Sequence, residues 1–166
     1  FINIGTTTEA VGKALLDHGG LMVITNNINV ANRMRVYPSM EVVIAGGVVR
    51  GADGGIVGEA AVDFIKQFKV DYAVIGTSAI DLDGALLDFD FREVKVAQAI
   101  IANARHVILV SDSTKFERTA PVRIGHLSQV NTFITERCDI PAIRRICEDS
   151  EVRLIETTRE AMAGQP

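Results

Sequence analysis

Short continuous hydrophobic runs alternate along the chain with segments whose apolar residues recur every three or four positions. The mostly apolar runs predict strands over residues 21–24, 41–45, 72–75 and 106–110. Alternating or mixed apolar segments predict further strands over residues 1–4, 130–135 and 152–155. The spaced segments predict helices over residues 8–17, 28–34, 59–68, 92–104 and 141–147. Continuous apolar runs are typical of strands that are covered on both faces. The pattern therefore predicts an α/β fold, with a mainly parallel sheet flanked by helices.

Three segments depart from this alternation. Residues 48–50 and 56–57 flank a glycine-rich stretch, which predicts a small irregular β hairpin. Residues 76–91 are predicted to form a long acidic loop, and the weakly apolar residues 157–166 a fraying C-terminal tail.

Composition narrows the classes of protein that fit. The 166 residues suit one domain with its own core, and no apolar run approaches the roughly 18 residues that cross a bilayer. With 17 basic and 21 acidic residues the net charge is −4, so we expect DNA contact only through another segment and no membrane contact. Two cysteines nine positions apart fit neither a zinc site nor a disulfide scaffold. We therefore expect the chain to be located in a reducing cytoplasm.

Small polar residues follow four of the predicted strands, where parallel α/β sheets bind ligands. Glycine allows close approach of a ligand, hydroxyls and amides donate hydrogen bonds, and a following helix offers free N–H groups, a combination that suits a phosphate. The same residues also serve as helix caps and turn formers, and that alternative stays open. The candidates are Gly5, Thr6, Thr7 and Thr8; Thr25, Asn26 and Asn27; Gly46 and Gly47; and Gly76, Thr77 and Ser78.

Charged candidates lie farther along the chain. Asp81 and Glu93 are predicted to accept hydrogen bonds from ligand hydroxyls, and Lys115 to meet a phosphoester. Alternatively, the carboxylates only interact favourably with the dipole at a helix N-terminus, and Lys115 is an ordinary solvated lysine on the surface.

Nucleotide, hydrolase and metal motifs are missing. The chain has no Gly-x-Gly-x-x-Gly after its first strand, no Gly-Lys pair opening a helix, no Gly-x-Ser-x-Gly and no His-Glu-x-x-His. We therefore expect no NAD, no ATP, no metal and no other cofactor.

Several ordered blocks of the chain together resemble the sensor domain of DeoR-family bacterial transcriptional repressors. The blocks are Asn-Ile-Gly-Thr-Thr (3–7), Thr-Asn-Asn (25–27), Ala-Gly-Gly (45–47), Gly-Glu (58–59), Gly-Thr-Ser-Ala-Ile-Asp (76–81), Glu-Val-Lys (93–95) and Asp-Ser-Thr-Lys-Phe (112–116). The resemblance implies a fold similar to ribose-5-phosphate isomerase and the CoA transferases. It also implies an effector-binding domain over residues 1–156 and a winged helix-turn-helix domain that lies N-terminal to this chain and contacts DNA.

The resemblance further implies a phosphorylated effector, for which we expect glycerol 3-phosphate, and a homodimer or homotetramer. The loop from Gly5 to Thr8 would hold the phosphate, and Asp81 and Lys115 would contact hydroxyls or phosphate. Glu93 would lie where the isomerase keeps its base, with Lys95 close by in the same block.

Two enzymatic alternatives share this resemblance. One is a sugar-phosphate isomerase that uses Glu93 as general base and Lys115 to stabilise charge, and the other is a CoA transferase that acts through Glu59. The isomerase has a Lys-Gly-rich turn before its catalytic helix, whereas this chain has Leu-Leu-Asp-Phe-Asp-Phe over residues 86–91. Without that turn an enediolate would lack backbone donors, so the sequence favours binding without turnover.

Overall fold

A computed structural model gives the fold, and it describes residues 1–158. Its helices are α1 (Thr6–Ala14), α2 (Ile28–Met34), α3 (Glu59–Ile65), α4 (Phe91–Ala102) and α5 (Pro141–Asp149). Its strands are β1 (Leu21–Thr25), β2 (Met40–Ile44), β3 (Val48–Val49), β4 (Ile56–Val57), β5 (Val70–Ile75), β6 (Ala79–Ile80), β7 (Ala85–Asp88), β8 (Ala104–Val110), β9 (Val122–His126), β10 (Thr132–Thr135) and β11 (Arg153–Glu156). Two 3₁₀ turns, Ser113–Glu117 and Leu127–Gln129, complete the described chain.

Six parallel strands form the central sheet. β2 pairs with β1, and β5, β8, β10 and β11 follow one another on the other side. Residues 1–3 join the two groups, because the amide of Ile2 donates to Ile24 (3.0 Å) and the amide of Asn3 donates to Val74 (3.0 Å). The predicted parallel α/β class is confirmed. The predicted first strand is wrong in extent, since only Ile2 bridges its neighbours before Gly5, at φ 128°, turns the chain into α1.

Helices cover both faces of the sheet. Successive strand side chains point to opposite faces, and Val23 and Ile24 of β1 accordingly enter different hydrophobic clusters. The cluster that contains Val23 includes Met34 of α2, whereas the larger cluster contains Phe133 of β10 together with residues of α3, α4 and α5. In the described part of the chain, no helix is long and apolar enough to cross a membrane.

The predicted long loop over residues 76–91 is wrong. β6 and β7 form a hairpin there, and β9 pairs antiparallel with β7 to make a second, three-stranded sheet. Both strands of the hairpin are too short to show a strand period, but the Asp83-Gly84 pair between apolar residues is a recognised turn signal. Gly84 has φ 88°. The predicted tail falls mostly outside the described residues.

The predicted hairpin at residues 48–57 is present as β3 and β4. Its base depends on Gly47, whose φ of 146° is in a region that side chains rarely adopt. A Cβ atom there would lie 2.6 Å from the carbonyl oxygen of Val57. Gly47 thus lets the two strands approach each other closely where the hairpin leaves the main sheet.

Candidate functional site

A cavity of about 140 Å³ opens at the carboxyl ends of the central strands. This is smaller than the roughly 300–1,000 Å³ typical of drug-sized ligands, so it suits a small metabolite. Its lining comes from the first loop and α1, the β3–β4 hairpin, the loop after β5, the end of β7, α4, the end of β8 with the turn that follows it, and β9. The lining residues are Asn3, Ile4, Gly5, Thr6, Thr7, Thr8, Arg50, Asp53, Gly76, Thr77, Ser78, Asp88, Glu93, Ala97, Val110, Lys115 and Ile124.

The N-terminus of α1 forms one wall of this cavity. Gly5 is the N-cap, and no side chain of the described chain caps this helix. The Thr8 hydroxyl instead lies between the carbonyl oxygens of Asn3 (2.8 Å) and Gly5 (2.7 Å), which braces the loop. The first-turn N–H groups are therefore left for a ligand, and the positive end of the helix dipole favours an anion.

Lys115 places a positive charge on the same cavity. It lies in the 3₁₀ turn after β8, and its Nζ atom is 3.9 Å from the Asp112 carboxylate. Hydrogen bonding from Thr114, with help from the Lys115 charge, lowers the pKa of Asp112. This ion pair is loose, so Lys115 is free to approach an anion bound at α1.

Arg50 is a lining residue that sequence reasoning missed. It extends from the β3–β4 hairpin and forms ion pairs with Asp53 and, at 3.2 Å, with Asp90. Asp90 caps α4, and hydrogen bonds from Arg92 and Arg50 hold the pKa of its carboxyl well below the usual range. The only local signal was an arginine beside a predicted glycine turn, and the tertiary fold decides where that side chain goes.

Glu93 is the buried carboxyl of the site, with 2% of its surface exposed. Its Oε2 atom accepts a hydrogen bond from Asn26 at 3.3 Å, whereas Oε1 has no partner among the described residues. Burial raises the pKa of Glu93 to about 8; the charge of Arg50 opposes this rise, and that of Asp88 adds to it. Glu93 is therefore mostly protonated at neutral pH.

Several predicted site residues line the cavity together. The structure brings the Gly5–Thr8 loop, the Gly76–Ser78 loop, Glu93 and Lys115 to it, as the convergence of strand ends implied. The Thr77 hydroxyl lies within hydrogen-bond distance of the carbonyl oxygens of Ala79 (2.8 Å) and Leu87 (2.9 Å). Thr77 therefore stabilises the wall of the cavity.

Other predicted site residues serve the fold instead of lining the cavity. The Thr25 hydroxyl donates to Ile2 at 2.6 Å, and the Asn27 side chain caps α2. Asn26 contacts the site through Glu93 alone. The remaining four lie apart from the cavity lining: Gly46 and Gly47 at the hairpin base, Asp81 at the β6–β7 turn, and Lys95 in a groove between α3 and α4.

Metal binding requires several ligating side chains in one place. Within residues 1–158, no group of three His, Cys, Asp or Glu side chains is arranged to hold a metal ion.

A parallel α/β sheet with a small, anion-suited cavity at its carboxyl edge defines a domain that binds a small molecule. The chain belongs to the family described as the DeoR C-terminal sensor domain, which matches residues 1–137. The resemblance found in the sequence blocks is thereby confirmed.

Curated relatives agree with this family. The chain is 47% identical to the glycerol-3-phosphate regulon repressor of Escherichia coli over 93% of its length, and 52% identical to that of Haemophilus influenzae over 85%. It is 40% identical to the E. coli HTH-type transcriptional repressor CsqR over 93% of its length. The chain spans 61%, 54% and 59% of these three relatives.

Among solved structures, ribose 5-phosphate isomerase A from Neisseria gonorrhoeae is similar to this chain at a TM-score of 0.46 and 9% identity. The match covers 69% of this chain and 44% of that one.

Proposed function

We propose that this chain is the effector-binding part of a transcriptional repressor, and that its effector is glycerol 3-phosphate. The observation that carries the proposal is the uncapped N-terminus of α1, which shares one small cavity with Lys115. Free backbone N–H groups and an ammonium group are what a phosphate monoester needs. The names of the two relatives at 47% and 52% identity support this choice of effector.

In this proposal the phosphate lies at the Gly5–Thr8 loop, and the hydroxyls point toward Glu93 and Asn3. Operator binding belongs to a DNA-binding domain outside this chain, which fits the net charge of −4. The effector relieves repression by preferring the state that binds DNA poorly. A preference of about 1–3 kcal/mol changes DNA affinity roughly 5–150-fold.

A thermal-shift panel tests the proposal. Glycerol 3-phosphate at about 100 times its Kd should stabilise the chain by roughly 2.7 kcal/mol, which is several degrees for a domain of this size. Glycerol and inorganic phosphate should give smaller shifts at equal concentration. A shift with ribose 5-phosphate alone, together with turnover that Glu93→Gln abolishes, would instead support an isomerase.

Replacing Lys115 with alanine should weaken glycerol 3-phosphate binding roughly 10–150-fold, because a charge-assisted hydrogen bond contributes about 1.5–3 kcal/mol. Calorimetric titration measures the change. Lys95→Ala is the matched control, since Lys95 is exposed and lies outside the cavity lining; it should leave the Kd unchanged. Equal losses in the two variants would mean that Lys115 does not meet the phosphate.

A further inference from the structure

We infer that the end of the cavity around Glu93 is a subsite that accepts uncharged hydroxyl groups and excludes a second anion. The effector would then carry one phosphate and no other negative charge. This inference rests on the proposed function, because it presumes that the phosphate lies at α1.

The charges at this end of the cavity oppose an anion. Asp53 and Asp88 lie close enough to Glu93 for their charges to raise its pKa, and Asp90 lies just beyond, paired with Arg50. Asp53, Asp88 and Asp90 face two arginines, Arg50 and Arg92, so one negative charge is left over even when Glu93 keeps its proton. Arg50 already pairs with the carboxylates of Asp53 and Asp90, so its positive charge is balanced within the protein and offers little attraction to a ligand carboxylate.

The unpaired polar atoms at this end of the cavity are oxygens that can accept a hydrogen bond from a ligand. Asn3 Oδ1, Asn26 Oδ1 and Glu93 Oε1 are buried without a partner in the described chain, and each of these residues is at most 2% exposed. Asn26 donates to Oε2 of Glu93 at 3.3 Å, and Asn3 interacts with the same carboxyl strongly enough to affect its pKa, so the three residues form one cluster. A proton on Glu93 can satisfy one amide oxygen and leaves the other still in need of a donor. A ligand hydroxyl supplies that donor, whereas a carboxylate brings acceptors alone.

Three ligands of nearly equal length separate these properties. In 3-phosphoglycerate a carboxylate replaces the terminal hydroxymethyl group of glycerol 3-phosphate, and propyl phosphate has no hydroxyl at all. Like charges brought together cost several kcal/mol, so 3-phosphoglycerate should bind at least ~100-fold more weakly. A buried acceptor left unpaired costs about 1–3 kcal/mol, so propyl phosphate should bind roughly 5–150-fold more weakly.

Calorimetric titration of the chain with these three ligands at pH 7 tests the inference. Asp88→Asn removes one charge from this end and keeps an acceptor oxygen, so the preference for glycerol 3-phosphate over 3-phosphoglycerate should fall about tenfold. Asp83→Asn is the matched control: Asp83 lies in the β6–β7 turn, where its Oδ1 accepts from the Ala85 amide at 2.9 Å. That variant should keep the wild-type preference.

The possible outcomes separate the two proposals. Equal affinity for glycerol 3-phosphate and 3-phosphoglycerate would overturn the exclusion of a second anion. Equal affinity for glycerol 3-phosphate and propyl phosphate would overturn the recognition of ligand hydroxyls at this subsite. Both results would leave phosphate binding at α1 standing. Failure of all three ligands to bind would overturn the proposed function and this inference with it.

Discussion

Replacing Glu93 with glutamine is expected to raise the free energy of unfolding at pH 9 by about 3–5 kcal/mol. In the folded chain the pKa of Glu93 is about 8, compared with an ordinary value of 4.5. Ionising this buried carboxyl therefore costs free energy in the folded chain, and no such cost arises in the unfolded chain. Glutamine matches the shape and hydrogen-bonding groups of the protonated acid and carries no charge at any pH.

The pH dependence of this effect has a definite sign. Between pH 4.5 and 8 the unfolded chain has released the Glu93 proton and the folded chain still holds it. The contribution of Glu93 to wild-type stability is complete below pH 4.5, falls as the pH rises, and is lost above pH 8.

Urea unfolding at pH 5, 7 and 9 measures this difference. The advantage of Glu93→Gln should grow from pH 5 to pH 9. Glu59→Gln, at an exposed position at the start of α3, should track the wild type. A constant gap between Glu93→Gln and the wild type at all three pH values would contradict the buried, protonated carboxyl.

Replacing Gly47 with alanine is expected to destabilise the chain by about 2–4 kcal/mol. The backbone at φ 146° disfavours any side chain, and a Cβ atom 2.6 Å from the Val57 carbonyl oxygen cannot be accommodated unless the hairpin moves. Because that hairpin carries Arg50 into the cavity, the variant should also bind glycerol 3-phosphate more weakly.

Gly46→Ala is a close control for this change. No heavy atom lies within 4 Å of a Cβ built at Gly46, and its φ is outside the left-handed region. Alanine there should leave stability within about 1 kcal/mol of the wild type, or raise it slightly by restricting the unfolded chain. Denaturant unfolding of the two variants side by side measures the contrast. Similar losses would show that the close approach of Gly47 to Val57 is unimportant.

Patterns within single segments were enough to predict the central sheet. The runs at 21–24, 72–75 and 106–110 correspond to β1, β5 and β8. They are apolar apart from His106, and most of their residues are buried because helices cover both faces of the sheet. The second sheet was missed because β6 and β7 are only two and four residues long. Their shared partner β9 lies more than thirty positions farther on, so no local pattern joins them.

The candidate site was predictable where strand ends determine it. Gly5, Gly76 and Lys115 each follow a strand or bridge of the parallel sheet, and topology alone brings them together. Arg50, Asp53 and Asp88 come from antiparallel segments, whose position over the cavity depends on hairpin register and long-range packing. Asn27 was predicted to contact a ligand, whereas its side chain caps α2. The sequence could not separate the two roles, because the same polar residue suits both.

The first eight residues have two tasks that cannot be separated. Ile2 and Asn3 hold the two halves of the parallel sheet together through hydrogen bonds to β1 and β5, and Asn3 to Thr8 line the cavity. A local opening that frees this segment removes the binding site and splits the sheet in the same event. We therefore expect the amide hydrogens of this segment to be protected against exchange to the same degree as those at the centre of the sheet.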